Sequence, residues 1–246
     1  MTTTLEWQLA TVTAIRAETP KVKSFTFSLP RWLPHRVGQH YDIRLTASDG
    51  YHAQRSYSIA SEPERTGEID LTIELAESGE VSAFMNEVVV VGDRIEVRGP
   101  IGGYFVWEAA LGGPLLLVAG GSGVVPVMSM LRHRAAAGST VPARLLYSSR
   151  TYADVIYRDE LDRLKARGDS FEVFHTLTRA QPAGWIGFAR RIDARMLSDV
   201  SQVYGATALT FICGPTPLVE SAANGLLELG LNAERIKTER FGPSGS

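Results

Sequence analysis

Arg55-Ser56-Tyr57-Ser58 places a guanidinium, a phenol ring and a hydroxyl within four residues. On a strand, alternation puts Arg55 and Tyr57 on one side and Ser58 on the other. The planar guanidinium offers paired donors to a phosphate, the phenol offers an aromatic face to a flat heterocycle, and the hydroxyl can hydrogen-bond the edge of such a ring. An exposed strand without a ligand is the plainer reading. Further along, Gly79-Glu80-Val81-Ser82 fits a turn opening a short helix, where backbone N–H groups and the helix dipole favour an anion, with phosphate the natural one. Ordinary helix capping is the alternative there.

Three stretches of the second half could also do chemistry. Gly121-Ser122-Gly123-Val124-Val125-Pro126 fails two better known motifs. A dinucleotide fingerprint would have Gly in place of Pro126, and a hydrolase nucleophile elbow on Ser122 would have Gly in place of Val124. What remains is a strand, a glycine turn that lets backbone approach a ligand closely, and a helix started by proline. Cys213-Gly214-Pro215 ends an apolar run, where a lone cysteine is by default a small core residue. Glu239-Arg240-Phe241 closes the last strand; with no ligand, Glu239 would be a solvated charge. His35, His40, His52, His133 and His175 show no ligand spacing, and with one thiol they argue against zinc. One cysteine cannot hold an iron–sulfur cluster, which needs about four thiolates, so a cluster is expected in another protein.

The elements that must position these residues change character midway. Period-two alternation marks Phe25, Phe27 and Leu29, then Tyr41, Ile43 and Leu45, then Ile69, Leu71, Ile73 and Leu75, then Ile95 and Val97. Asp49-Gly50, Thr66-Gly67 and Val91-Gly92-Asp93 separate these runs, as in an antiparallel barrel or sandwich, with one short helix from about Val81 to Glu87. Gly99-Pro100 reads as a turn that serves the barrel's shape. After Pro114, Leu115 to Ala119 is apolar throughout, as a strand buried on both faces should be. A helix from about Val125 to Ala137 follows, then strand Arg144 to Ser148, helix Ala153 to Arg167, strands Phe171 to Leu177 and Leu209 to Cys213, helix Thr216 to Leu229 and strand Ile236 to Phe241. This alternation predicts an α/β doubly wound parallel sheet that binds ligands beyond the carboxyl ends of its strands. The expected division is a β-barrel domain over residues 1–110 and an α/β domain over residues 111–246.

Composition agrees with an ordinary globular protein: 246 residues, 44% hydrophobic and 21% charged, with a formal net charge of −2 that gives no electrostatic reason to expect nucleic acid. No basic start followed by an apolar stretch opens the chain, and no run approaches the ~18 apolar residues of a membrane span, so the expectation is a cytoplasmic protein without membrane partners.

Taken in order and spacing, the motifs resemble those of the ferredoxin-NADP reductase superfamily, the stand-alone two-domain flavoproteins and the reductase components of bacterial oxygenases, from about Leu9 to Phe241. The resemblance implies FAD and NADPH as cofactors, with flavin and nicotinamide face to face. It gives Arg55 the flavin phosphate, Tyr57 the ring, and Ser58 a contact near flavin N5. It gives Thr72 and Ile73 a backbone reading of the ring, and Gly79, Val81 and Ser82 the pyrophosphate. The turn at Gly121, Ser122, Gly123 and Pro126 becomes the nicotinamide-nucleotide pyrophosphate loop. Cys213, Gly214 and Pro215 lie beside the nicotinamide, Glu239 reaches toward the serine of the first motif, and Phe241 covers the flavin face. The second and third strands of the α/β half end in Ser149-Arg150 and Thr178-Arg179, where NADP-preferring relatives bind the 2′-phosphate, with Arg190 or Arg191 as a third charge. The implied partner is a ferredoxin or similar iron–sulfur protein, possible also within an oxygenase system. Two other readings stand beside it: a NADH-dependent oxygenase reductase component, and a cofactor-binding electron-transfer or sensor subunit without turnover. The tail, Gly242 to Ser246, runs past the aromatic at which chloroplast-type relatives end.

Overall fold

The computed structural model describes residues 5–241. The chain divides into two compact units, Met1–Glu108 with Met128–Ala136, and Ala109–Val127 with Ala137–Ser246.

The first unit is built from strands β1 (Gln8–Thr19), β2 (Val22–Ser28), β3 (His40–Thr46), β4 (His52–Ser58), β5 (Glu68–Glu74) and β6 (Arg94–Ile101), with helix α1 (Glu80–Glu87) between the last two. The strands pair antiparallel in the order β4-β3-β6-β1-β2-β5. A bridge between Ile59 and Leu71, with the Ala60 N–H donating to the Asp70 carbonyl at 2.8 Å, joins the two edges. The alternating residues Phe25, Phe27, Tyr41, Ile43, Ile69, Leu71, Ile73 and Val97 form its core, all fully buried. Each contributes about 1.5–3 kcal/mol by leaving water. Strand β1 was not anticipated because register shifts between Val12 and Ala14 and between Ala17 and Thr19 break its alternation. Gly99-Pro100 lies within β6 rather than at a turn: a Cβ on Gly99 would come within 2.6 Å of the Tyr41 ring, so the glycine makes room for that core phenol.

The second unit holds β7 (Leu115–Gly120), β8 (Ala143–Thr151), β9 (Phe171–Ala180), β10 (Leu209–Pro215) and β11 (Ile236–Phe241). They form a parallel sheet in the order β11-β10-β7-β8-β9. Helices α2 (Val124–Ala136), α3 (Arg158–Ala166), α4 (Ala194–Ser201) and α5 (Thr216–Glu228) accompany it, α2 starting in this unit and continuing into the first. One core packs Leu116, Val118 and Ile212 with Met196, Leu197 and Val200 of α4 and Val219, Ala222 and Leu226 of α5. The helix expected from Ala153 starts at Arg158, because Tyr152–Asp154 forms a tight 3-10 turn and Tyr157 is left-handed with φ 59°. Helix α4 was missed although Asp193 caps it, its carboxylate accepting from Met196 N at 2.9 Å. The chain reverses direction across the sheet between β7 and β10, which makes their carboxyl ends the topological switch point. Among the described residues no helix is long and apolar enough to cross a membrane.

Candidate functional site

In the first unit, Arg55 and Tyr57 lie opposite Ile43 and Tyr41 on β3. Tyr57 packs against the barrel core, and burial pushes its phenol up to about 12, so the ring remains neutral. Arg55 is exposed, and its guanidinium donates to the Gln54 carbonyl at 2.7 Å. Ser56, between them, bonds Asp42 at 2.6 Å, and Asp42 also pairs with Arg98 at 2.8 Å, so the middle residue of the motif serves the scaffold. Ser58 is buried. Immediately after it, and within the same unit, the Ser61 carbonyl accepts from Ser129 Oγ at 2.7 Å and the Ala60 carbonyl from Arg132 at 2.8 Å. Nothing local in the sequence signals these two bonds.

Thr72 is buried and shares a hydrogen bond of 2.7 Å with Ser24, while the Ile73 side chain belongs to the core. The side chains of both are thus engaged in the barrel. Helix α1 begins at Glu80, one residue earlier than expected, with Gly79 as its cap. A Cβ on Gly79 would come within 2.4 Å of Ser82 Oγ. That hydroxyl donates to the Gly79 carbonyl at 3.0 Å and accepts from Ala76 N at 3.2 Å. Val81 and Ser82 therefore point inward, and what the turn offers an anion is main-chain N–H groups rather than the serine hydroxyl.

In the second unit, the Gly-rich turn and the Cys-Gly-Pro turn follow neighbouring strands, with Cys213 in register with Ala119. A Cβ on Gly123 would lie 2.2 Å from the Cys213 carbonyl oxygen. Gly214, at φ 153°, brings its backbone against Gly120, where a Cβ would meet the Gly120 N and O at 3.1 Å. These two glycines thus let the turns approach each other, a requirement that precedes any ligand. Gly121 has φ 53°, and its carbonyl accepts from Tyr147 OH at 3.1 Å. Ser122 is half-buried beside it. Pro126 is the third residue of α2, still in the first turn, where its missing N–H costs nothing.

At the carboxyl ends of β8 and β9 a register shift falls between Ser149 and Thr151, and Thr178 Oγ1 donates to the Ser149 carbonyl at 3.3 Å. Arg150 and Arg179 are both exposed here, and Ser149 Oγ is buried without a hydrogen-bond partner. Arg190 is committed to Asp193 at 2.5 Å, which weakens its case as a third phosphate ligand.

Cys213 pairs in register with Glu239, and Pro215 with Phe241. Burial, with the neighbouring Glu239 charge second, pushes the Cys213 thiol well above its usual range, so it is a neutral thiol. Burial also raises Glu239 to about 7, and its Oε2 is sealed from solvent with no partner. This is not a solvated charge. Phe241 is half-exposed at the last described position; the tail from Gly242 to Ser246 lies outside the described residues.

The matches to known families divide the chain where its architecture changes. Residues 9–106 match an oxidoreductase FAD-binding domain and residues 117–224 an oxidoreductase NAD-binding domain. The chain thus carries ferredoxin-NADP reductase-like FAD-binding and NAD-binding domains, those of a flavoprotein oxidoreductase. It is 29% identical over 231 residues to the reductase component DmpP of phenol 2-monooxygenase from Pseudomonas sp. strain CF600, covering 94% of this chain and 64% of that protein. It is 31% identical over 190 residues to the reductase component of propane 2-monooxygenase from Mycolicibacterium goodii, covering 76% of this chain and 53% of that protein. The chain thus spans between half and two thirds of the length of these relatives. A ferredoxin NADP+ reductase from Neisseria gonorrhoeae, solved with FAD and NADP, shares the fold at a TM-score of 0.80 and 22% identity, over 95% of this chain and 98% of that one.

Proposed function

We propose that the chain is an NADPH-dependent FAD reductase that delivers electrons to a separate iron–sulfur protein such as a ferredoxin. The observation that carries the choice of nucleotide is the pair of exposed arginines, Arg150 and Arg179, on adjoining strand ends beside the unpartnered Ser149 hydroxyl. The residues present fit both cofactors. FAD, when bound, supplies the chemistry, accepting a hydride from reduced nicotinamide and releasing electrons one at a time.

In this reading Arg55 and the N–H groups after Gly79 bind the flavin phosphates, Tyr57 holds the ring as a neutral face, and the backbone of Thr72 and Ile73 reads its edge. Ser58 supports the hydride-accepting edge. The turns at Gly121–Pro126 and Cys213–Pro215 hold the pyrophosphate and nicotinamide. Ser149, Arg150, Thr178 and Arg179 take the 2′-phosphate, which arginine suits as a bidentate donor. Cys213 is a neutral neighbour that adds no charge of its own. Glu239, raised to about 7, can hold or give up a proton at Oε2 near neutral pH. Phe241, by resemblance, would be the aromatic whose place a nicotinamide takes.

The test is the NADPH/NADH ratio of kcat/KM. The wild-type protein should prefer NADPH, and changing Arg150 and Arg179 together to Ala should narrow the ratio by about two orders of magnitude or more, mainly by weakening NADPH. A wild-type preference for NADH would instead favour an oxygenase reductase component using NADH; the names of the phenol and propane monooxygenase relatives support the oxygenase reductase part of that reading.

A further inference from the structure

The two hydrogen bonds that α2 makes to the segment after Ser58 involve none of the residues assigned to a cofactor, and both lie within the first unit. Strand β4 stands at the edge of the ladder order and pairs with β3 as far as Ser58, opposite His40. Beyond Ser58 the chain passes to β5. There Ile59 bridges Leu71, the Ala60 N–H donates to the Asp70 carbonyl at 2.8 Å, and Ser61 Oγ accepts from Asp70 N at 3.0 Å. The carbonyls of the same two residues are met from α2: Arg132 donates to Ala60 at 2.8 Å, and the Ser129 hydroxyl donates to Ser61 at 2.7 Å. Ile59, Ala60, Ser61 and Ser129 are all fully buried.

A carbonyl sealed from water has to be met by a donor, so the place of this segment is set by where its donors stand. Ser129 and Arg132 are three residues apart on one helix and so share a face, which lets them grip successive peptides. The arginine bond is charge-assisted and the stronger of its kind. His35 Nε2 lies 3.3 Å from the same Ser61 carbonyl, so removing the Ser129 hydroxyl loosens this grip without leaving the oxygen bare. Ser58 is therefore held from two sides, by the β3 ladder before it and by the clamped peptides after it. Hydride transfer tolerates little error in placement, since a shift of about 1 Å can cost on the order of a hundredfold in rate. A hydroxyl at the end of an edge strand needs such support from a rigid element.

We propose that Ser129 and Arg132 are positioning residues for flavin reduction: by fixing the Ala60 and Ser61 peptides they set where the Ser58 hydroxyl stands. The inference rests on the reading of Ser58 as support for the hydride-accepting edge of the flavin. Its first test is on the flavin-free full chain, where amide hydrogen exchange at Ile59 and Ala60 should speed up about tenfold in Ser129→Ala. The second is a double-mutant cycle on the FAD-loaded chain, read as the single-turnover rate of flavin reduction by NADPH or NADH, whichever is faster. Ser58→Ala and Ser129→Ala should each slow reduction, the latter about tenfold, with FAD occupancy near wild type, and the double variant should be no slower than Ser58→Ala alone. Should Ser129→Ala fail to fold, Arg132→Ala takes its place in the cycle, and Arg132→Lys, which keeps a donor, should recover most of the rate. Unchanged exchange, an unchanged rate in the clamp variant, or effects that multiply in the double variant overturn the positioning role and leave the reading of Ser58 standing. A Ser58→Ala protein reduced as fast as wild type overturns that underlying reading, and the inference with it.

Discussion

In the first unit the residues suited to a flavin are side chains of one strand at the edge of the ladder order, Arg55 and Tyr57 above all, Arg55 exposed and Tyr57 packed only on the margin of the barrel core. In the second, the residues suited to a nicotinamide nucleotide are largely backbone, two glycine turns pressed together at the switch point of a parallel sheet. The barrel can lose a ligand contact and remain folded. The sheet cannot lose Gly123 without moving the Cys213 carbonyl, because there the site and the packing are the same atoms. An antiparallel ladder frees alternate side chains at its edge, whereas a parallel sheet buried by helices leaves only its strand ends accessible.

The largest expected effect sharpens this contrast. Gly123→Ala places a methyl 2.2 Å from the Cys213 carbonyl oxygen, backbone against backbone, and should destabilise the protein by about 1–3 kcal/mol or more while abolishing nicotinamide-nucleotide binding. Thermal melts with a titration by NADP+ would show it. An unchanged melt would mean that the turns separate easily and that the two units do not differ in this respect.

Glu239 probes the second unit by pH. Its folded pKa of about 7 exceeds the ordinary value of 4.5, so the folded state holds a proton that the unfolded chain has released. The stabilisation from this group is therefore fully present below about pH 4.5 and is lost as pH rises to about 7, amounting to at most about 3 kcal/mol. Glu239→Gln should flatten the stability of the flavin-free protein over that window. Identical pH profiles for wild type and variant would show that Oε2 finds a partner in solution.

For the barrel, Arg55→Ala should weaken FAD roughly ten- to a hundredfold, from the loss of a charge-assisted contact of about 1.5–3 kcal/mol, with the flavin-free melt unchanged. A falling melt would show that the edge strand depends on Arg55 and would erase the contrast between the units. The smallest effect is expected at Phe241. Its removal to Ala should tighten NADP+ binding a few- to roughly tenfold, as a stack of about 0.5–1.5 kcal/mol no longer has to be displaced. The flavin absorbance change during titration measures this, and unchanged affinity would make Phe241 ordinary packing.

The residue pattern alone carried the order of the two architectures, the strands marked by Phe25, Tyr41, Ile69 and Ile95, the buried strand from Leu115, and the turns that follow β7 and β10. These are local facts: hydrophobic period, glycine and proline placement, and charge at a strand end are all written in neighbouring residues. Tertiary structure alone decided that Gly123 answers to Cys213, ninety residues away, that Ser82 closes its own turn instead of facing a ligand, and that Glu239 is raised toward neutrality instead of solvated. It also decided that Arg190 belongs to Asp193 and that the Ser61 carbonyl is met by Ser129. Which polar group is spent and which is left over depends on what long-range packing places beside it. No spacing along the chain encodes that, because the cost of an unpartnered buried oxygen is set by atoms that arrive only when the sheet and the barrel close.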